Sequence, residues 1–105
     1  TTTVFIETMP VFPGGEAALQ QYLKDNGTHD KAARKVSGVV KVRFEVDRDG
    51  NVRNPVVVGS LHPKLDTEAL LVVSAMPQWQ PALVRTRTVR SLVEVDVPFP
   101  KYTKK

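Results

Sequence analysis

Two stretches with an apolar or small residue at every second position constrain the fold of this chain more than any other feature. They occupy residues 40–46 and 89–99, and in each every second residue is apolar or small. A period of two is typical of a β-strand with one buried face. The second stretch would reach roughly 36 Å if fully extended. We therefore predict two strands, of which the last is long and has Val89, Ser91, Val93, Val95, Val97 and Phe99 on one face.

A turn follows the first alternating stretch. Asp47-Arg48-Asp49-Gly50 separates it from a second β-type run, residues 51–59. Asp-Gly between two such runs is a strong signal for a hairpin. We expect Val52, Val56 and Val58 on one face of the return strand, and Pro55 predicts an edge position or a bulge.

Helical spacing of apolar residues appears in two other places. The first helix is predicted after Gly15, with Leu19, Tyr22 and Leu23 on one face, and it ends at Asn26-Gly27. The second is predicted over 64–76, before Pro77. Its apolar face consists of Leu65, Ala69, Val72, Val73 and Met76. We also predict one or two helical turns over residues 30–36.

Strands with only one apolar face need a layer that covers that face. The predicted fold is therefore α+β, a small antiparallel sheet of about three strands with two helices packed on one face. Trp79 is expected under the helical layer. We predict a single domain over residues 1–105, in which 1–13 form an N-terminal strand (3–6) and lead-in and 101–105 form a frayed tail.

Composition argues against several classes of function. The net charge is +4, but basic and acidic residues alternate along the chain rather than forming a basic stripe, which argues against nucleic-acid binding. Without cysteine, disulfides and thiolate zinc sites are excluded. No apolar run approaches the roughly 18 residues of a membrane span. Because the chain opens at Thr1 without a signal sequence, we expect it to be a fragment whose anchor lies upstream.

No motif predicts catalysis or a cofactor. His29 and His62 lack the spacing of metal ligands, and the serines lack a nucleophile-elbow context. The Asp47–Gly50 turn lacks the rest of a calcium loop, and Gly14-Gly15 lacks the rest of a phosphate loop. We predict a non-enzymatic domain without cofactors.

Four segments carry a resemblance to a known family. They are Met9–Leu19 (MPVFPGGEAAL), Gly38–Val52 (GVVKVRFEVDRDGNV), Leu65–Leu70 (LDTEAL) and Met76–Pro81 (MPQWQP). In order and spacing they resemble the C-terminal domains of TonB-family proteins of the Bacteroidetes type, from Met9 to about Phe99. Two segments depart from that pattern. Residues 28–30 replace the family's Tyr-Pro, and 82–89 replace its glycines and Pro-Val.

The resemblance implies a periplasmic domain, tethered to the inner membrane through an upstream segment. Such domains couple the proton-motive energy of the inner membrane to outer-membrane receptors. They bind a short receptor peptide, the TonB box, which pairs with the last strand of the sheet. An open strand edge suits this mode of binding, since main-chain hydrogen bonds tolerate many peptide sequences.

Partner binding is accordingly expected on the last strand and its approach. The residues are Arg87, Val89, Arg90, Ser91, Leu92, Val93, Glu94, Val95 and Asp96, with Thr28 and His29 at the rim. Two other interpretations stay open. One is a sensing or docking domain at the end of a membrane-bound sensor or peptidase. The other is a structural domain that self-associates, for example as a homodimer paired through the open edge.

Overall fold

The computed structural model describes residues 8–26 and 37–99. The predicted strand 3–6, the short helix 30–36, the tail and the rim residues Thr28 and His29 lie outside this part of the chain. The described part contains two helices and five strands. In chain order they are α1 (Glu16–Asn26), β1 (Gly38–Val46), β2 (Val52–Gly59), α2 (Pro63–Ser74), β3 (Ala82–Val84), β4 (Arg87–Val89) and β5 (Ser91–Phe99).

The main sheet has three antiparallel strands in the order β2-β1-β5, and β3 and β4 form a separate hairpin. The register between β1 and β5 is uninterrupted from the pair Gly38–Phe99 to the pair Val46–Ser91. Buried residues of both helices join the inward residues of β1 and β5 in one core. The predicted α+β arrangement, with two helices over a small antiparallel sheet, is thereby confirmed.

The core is built from the apolar faces that the sequence predicts. Every second residue of β1 is fully buried, from Val40 to Val46. The core also contains Phe12, Leu19, Leu23, Leu65, Ala69, Val72, Val73, Met76, Trp79, Val95, Val97 and Phe99. Trp79 packs edge-on against Phe12 and Phe44, with both ring centroids 5.5 Å away. The expected position of Trp79 beneath the helical layer is confirmed.

The predicted hairpin turn joins β1 to β2 and is fixed to the segment around Trp79. The Gly50 N–H donates to the Asp47 carbonyl (3.0 Å), and the Trp79 N–H donates to the Gly50 carbonyl (2.8 Å). The Gln78 side chain donates to the Asp49 carbonyl at 2.7 Å. A Cβ on residue 50 would lie 1.9 Å from the Trp79 carbonyl oxygen. Only glycine therefore permits this close approach.

The return strand differs from the expected face pattern. Val56 and Val58 are exposed (49% and 43%), whereas Val57 packs against the core. The register with β1 shifts at two places, and Asn54 has a positive φ of 52°. Because each bulge inserts a residue, it reverses which alternate residues face inward. Pro55 predicted an edge position or a bulge, and both are found, since β2 is an edge strand and the register shifts at Pro55. The shared face of Val52, Val56 and Val58 was wrong.

The final alternating stretch is also not one strand. Val89 ends β4, which pairs with β3, and β5 begins only at Ser91. The two-residue loop of the β3–β4 hairpin is Arg85-Thr86, and both residues have a positive φ. Strict alternation cannot reveal this break at Arg90, since both strands keep the period of two. From Ser91 to Phe99 the predicted faces are confirmed.

Helix α2 begins at a side-chain network. The His62 Nδ1 accepts the Lys64 N–H (3.1 Å). Asp66 accepts the Leu61 N–H (3.0 Å), the His62 N–H and the Ser60 hydroxyl. Burial alone would raise the pKa of Asp66, but these hydrogen bonds hold it below its usual value. His62 is thus a helix-capping residue.

Candidate functional site

The candidate site is the outer edge of β5. On its inner side β5 pairs with β1, and in the described part of the chain no strand pairs with its other side. A strand at a sheet edge presents main-chain N–H and C=O groups that can bond to a further strand. Such an edge has the kind of main-chain groups to which an extended peptide could bond.

The direction of these groups follows from the hairpin turn. The Asp47 N–H donates to the Asn51 carbonyl (3.0 Å), so residue 47 directs its main chain toward β2. Because main-chain groups alternate in direction along a strand, Val46 and Phe44 direct theirs toward β5. Their partners in the register are Ser91 and Val93. The residues between these partners, Leu92, Glu94 and Asp96, consequently direct their N–H and C=O groups outward.

Pro98 supports the same assignment independently. It lies within β5, opposite Val39, without interrupting the register. Proline has no N–H to donate, so within a sheet it is found where that position faces an open edge. Pro98 belongs to the same alternate set as Leu92, Glu94 and Asp96. Three N–H groups and four carbonyl groups of β5 are thus directed away from β1.

A groove of about 360 Å³ runs beside this edge. Its lining comes from β5, α1, the lead-in and the segment before β3. The lining residues are Pro10, Glu16, Leu19, Gln20, Trp79, Val93, Glu94, Val95 and Asp96. Since alternate side chains of an added strand would point to the helix side of the sheet, this groove is where they would lie.

Acidic residues border the groove. Glu16, Glu94 and Asp96 line it, and none of the described lining residues is a lysine or arginine. The side chains of Glu94 and Asp96 are exposed on the solvent face of β5. Arg43, on the outer face of β1, donates to Glu94 Oε1 from Nε (3.0 Å) and from Nη2 (2.8 Å). This ion pair is about half exposed, so it adds little stability and leaves the edge accessible.

The structure brings together only some of the residues predicted to bind a partner. Val93, Glu94, Val95 and Asp96 line the groove, and Ser91 and Leu92 precede them on β5. Three others lie elsewhere in the described part of the chain. Arg87 and Val89 belong to β4, and Arg90 lies at a second depression beside the β1–β2 turn, with Asp47, Arg48, Asp49 and Arg53.

Sequence analysis did not identify the groove residues contributed by other elements. Leu19 and Trp79 were predicted as core, and Pro10, Glu16 and Gln20 were given no role. The amphipathic pattern of α1 places Leu19 inward but cannot show that α1 lies next to the free side of β5. That adjacency is a property of the tertiary fold alone.

Other kinds of site find no support in the described residues. They contain no group of three histidine, aspartate or glutamate residues able to hold a metal ion. Neither α1 nor α2 has the length and apolar character that a membrane crossing requires.

Comparison with known proteins agrees with this geometry. Residues 29–100 match the family model described as Gram-negative bacterial TonB protein C-terminal. Comparisons with curated proteins and with solved structures gave no match. The family comprises periplasmic, non-catalytic protein-interaction domains that act with outer-membrane receptors. Because the match spans well over half of the chain, this protein belongs to the family of TonB C-terminal domains.

Proposed function

We propose that this domain captures the TonB-box peptide of outer-membrane receptors by adding it as a strand to the outer edge of β5. Through this contact it couples the energy of the inner membrane to transport at the outer membrane. The observation that carries the proposal is the row of outward main-chain groups at Leu92, Glu94 and Asp96, directly beside a groove. The tether to the inner membrane and its energising complex are part of the same proposal.

Main-chain hydrogen bonds would supply most of the recognition. Each outward residue of β5 offers a donor and an acceptor to the peptide, and Pro98 offers an acceptor only. Such bonds do not depend on the side chains of the peptide. One domain could therefore serve several receptors whose peptides differ in sequence.

The groove would select the side chains that point inward. Its floor holds Leu19, Trp79 and the partly buried Val93, which favour apolar peptide residues. Burying one valine-sized side chain contributes roughly 1.5–3 kcal/mol. Apolar residues at alternate positions of the peptide would thus raise the affinity. The main-chain hydrogen bonds alone would accept peptides of many sequences.

The position of β5 suits a domain that transmits force. β5 is paired along its whole length with β1, the central strand, whose inward residues are fully buried. A pull on a peptide bound to β5 would therefore act on the most strongly held part of the sheet rather than on a loop.

The proposal can be tested with a pair of variants at one position. Glu94→Pro removes one outward N–H while leaving the bonds to β1 intact, as Pro98 already does. Glu94→Ala removes the same side chain but keeps the N–H. In an NMR titration with TonB-box peptides, we expect shifts of the backbone amides at positions 92, 94 and 96 in the wild type and in Glu94→Ala. We expect binding by Glu94→Pro to be at least fivefold weaker.

Two results would contradict the proposal. One is equal binding by the proline and alanine variants, both shown to be folded by their NMR spectra. The other is peptide-induced shifts on a different face. A size that falls on dilution, with the same β5 amides affected, would show instead that the edge pairs two copies of the chain.

A further inference from the structure

The charge around the groove is opposite to that of the whole chain. The chain has a net charge of +4, yet the charged residues that line the groove within the described ranges are Glu16, Glu94 and Asp96. Glu94 and Asp96 belong to β5, whose outer side pairs with no strand in the described part of the chain. The charge of this lining bears on which peptides the proposed site would accept.

Neighbouring residues neutralise these carboxylates only in part. Both hydrogen bonds of Arg43 end on Oε1 of Glu94, so Oε2 has no protein partner among the described residues. Glu16 accepts only a neutral amide, from Gln20 at 3.0 Å. Asp96 lies opposite Lys41 in the register, but the described contacts include no ion pair between them. Among the described residues, the carboxylates of Glu16 and Asp96 therefore form no ion pair.

A second feature of the groove wall also indicates a ligand. Trp79 is only 5% exposed, and its indole Nε1 is buried without an acceptor in the described part of the protein. Buried donors nearly always have a hydrogen-bond partner, and a buried donor without one costs about 1–3 kcal/mol of stability. Trp79 lines the groove, so this unpaired donor lies at the wall of the same candidate site.

The alternation of β5 decides where the cation belongs. Leu92, Glu94 and Asp96 point their side chains to the solvent side of the sheet, and the same residues bond outward through their main chain. The outward side chains of an added peptide would lie directly beside them. Oppositely charged neighbours on adjacent strands attract, and like charges repel.

We propose that the captured peptide carries a lysine or arginine at an outward position beside Glu94 and Asp96, with apolar residues at the inward positions. This inference rests on the proposed function, since it concerns the partner of the same edge. At the other end of the row Leu92 is 61% exposed, so an apolar outward residue fits there. The domain therefore selects its partners by charge at one half of the edge.

The experiment uses three short, fluorescently labelled peptides of alternating valine and polar residues. They differ only at the two central outward positions, which are lysine, glutamine or glutamate. By fluorescence anisotropy at low salt, we expect the lysine peptide to bind about threefold to tenfold more tightly than the glutamine peptide. The glutamate peptide should bind more weakly than the glutamine peptide. Raising the salt concentration should reduce these differences.

A matched pair of variants assigns the preference to the groove. Asp96→Asn should reduce the preference for lysine over glutamine, because it removes one of the two carboxylates beside the outward positions of the peptide. Asp25→Asn removes an exposed carboxylate of α1 that does not line the groove, and it should leave the preference unchanged. NMR shifts at Leu92, Glu94 and Asp96 confirm that the peptides bind at the edge.

The possible failures are distinguishable. If all three peptides shift the β5 amides and bind equally well, the charge preference is wrong and strand addition stands. The same holds if the glutamate peptide binds best. If no peptide affects β5, strand addition itself is wrong, and the charge preference falls with it.

Discussion

At the scale of single residues, Gly50 shows how one position holds two segments together. Its φ is 89°, and its carbonyl accepts the Trp79 N–H. Gly15 has nearly the same φ, 87°, but a Cβ there would meet nothing within 4 Å. Replacing either glycine by a residue with a Cβ would therefore cost conformational energy. Only at Gly50 would the Cβ also collide with another atom.

We predict that Gly50→Ala destabilises the protein much more than Gly15→Ala does. An alanine in this left-handed region costs about 1–2 kcal/mol at either position. At position 50 the Cβ also collides with the Trp79 carbonyl and breaks the contact between turn and core, for a total above about 3 kcal/mol. Urea denaturation measures both values. Equal losses would mean that the turn can move away from Trp79 without consequence.

Asp47 gives the turn a dependence on pH. Its Oδ2 accepts the Arg53 Nε at 2.6 Å, and its Oδ1 accepts the N–H groups of Asn51 and Asp49. The hydrogen bond from Arg53 is the largest cause that lowers the pKa of Asp47, from 3.8 to about 2, followed by that from Asn51. Because the pKa of Asp47 is lower in the folded protein than in the unfolded chain, its charged form stabilises the fold at pH values above the unfolded pKa. This stabilisation is lost as the pH falls toward 2.

We therefore predict that the difference in unfolding free energy between the wild type and Asp47→Asn narrows as pH is lowered. Asparagine keeps an acceptor for the turn but cannot carry the charge that pairs with Arg53. The difference should be constant above about pH 5 and should shrink between about pH 4 and pH 2. Chemical denaturation at a series of pH values measures it. Parallel profiles over that range would show that the Asp47 charge does not stabilise the fold.

At the scale of elements, sequence patterns predicted whatever depends on local periodicity. The alternation of β1, the apolar faces of both helices and the Asp47–Gly50 turn were all predicted correctly. The errors arose where the structure depends on how strands pair, which a local sequence pattern does not show. A bulge in β2 exposes Val56 and Val58, and the β3–β4 hairpin takes Arg87 and Val89 away from the last strand. Which side of β5 is open depends on strand order, and no local pattern encodes that order.

The direction of the main chain along β5 can be measured without any partner. We predict an alternating pattern of amide hydrogen exchange. The N–H groups of Leu92, Glu94 and Asp96 should exchange fast, because they face the open edge, and those of Val93, Val95 and Val97 slowly, because they bond to β1. Slow exchange over the whole of β5 would mean that its edge is covered in solution. NMR exchange at neutral pH resolves the two cases.

At the scale of the whole molecule, the core extends beyond the segment that matches the family. The match covers 29–100, yet Phe12, Leu19 and Leu23 are buried in the same core as the sheet. Phe12 packs against Trp79 and Tyr22, and the lead-in bonds to the strand region through Val11 and Gln80. The lead-in and α1 also supply Pro10, Glu16 and Leu19 to the groove. We therefore expect the open edge of β5 and the N-terminal segment to unfold as one cooperative unit.

Phe12→Ala tests this cooperativity. Truncating a buried phenylalanine costs about 3–5 kcal/mol, and here the loss should lower the stability of the entire domain rather than release the lead-in alone. Trp79, the only tryptophan, reports on the core by fluorescence, and circular dichroism reports on all helices and strands. We predict that both signals shift to the same lower urea midpoint. Met9→Ala, at a neighbouring side chain that is 62% exposed, should change stability by less than about 0.5 kcal/mol. Separate transitions for the two signals in Phe12→Ala would show that the N-terminal segment unfolds independently, and that the groove can lose one wall while β5 stays folded.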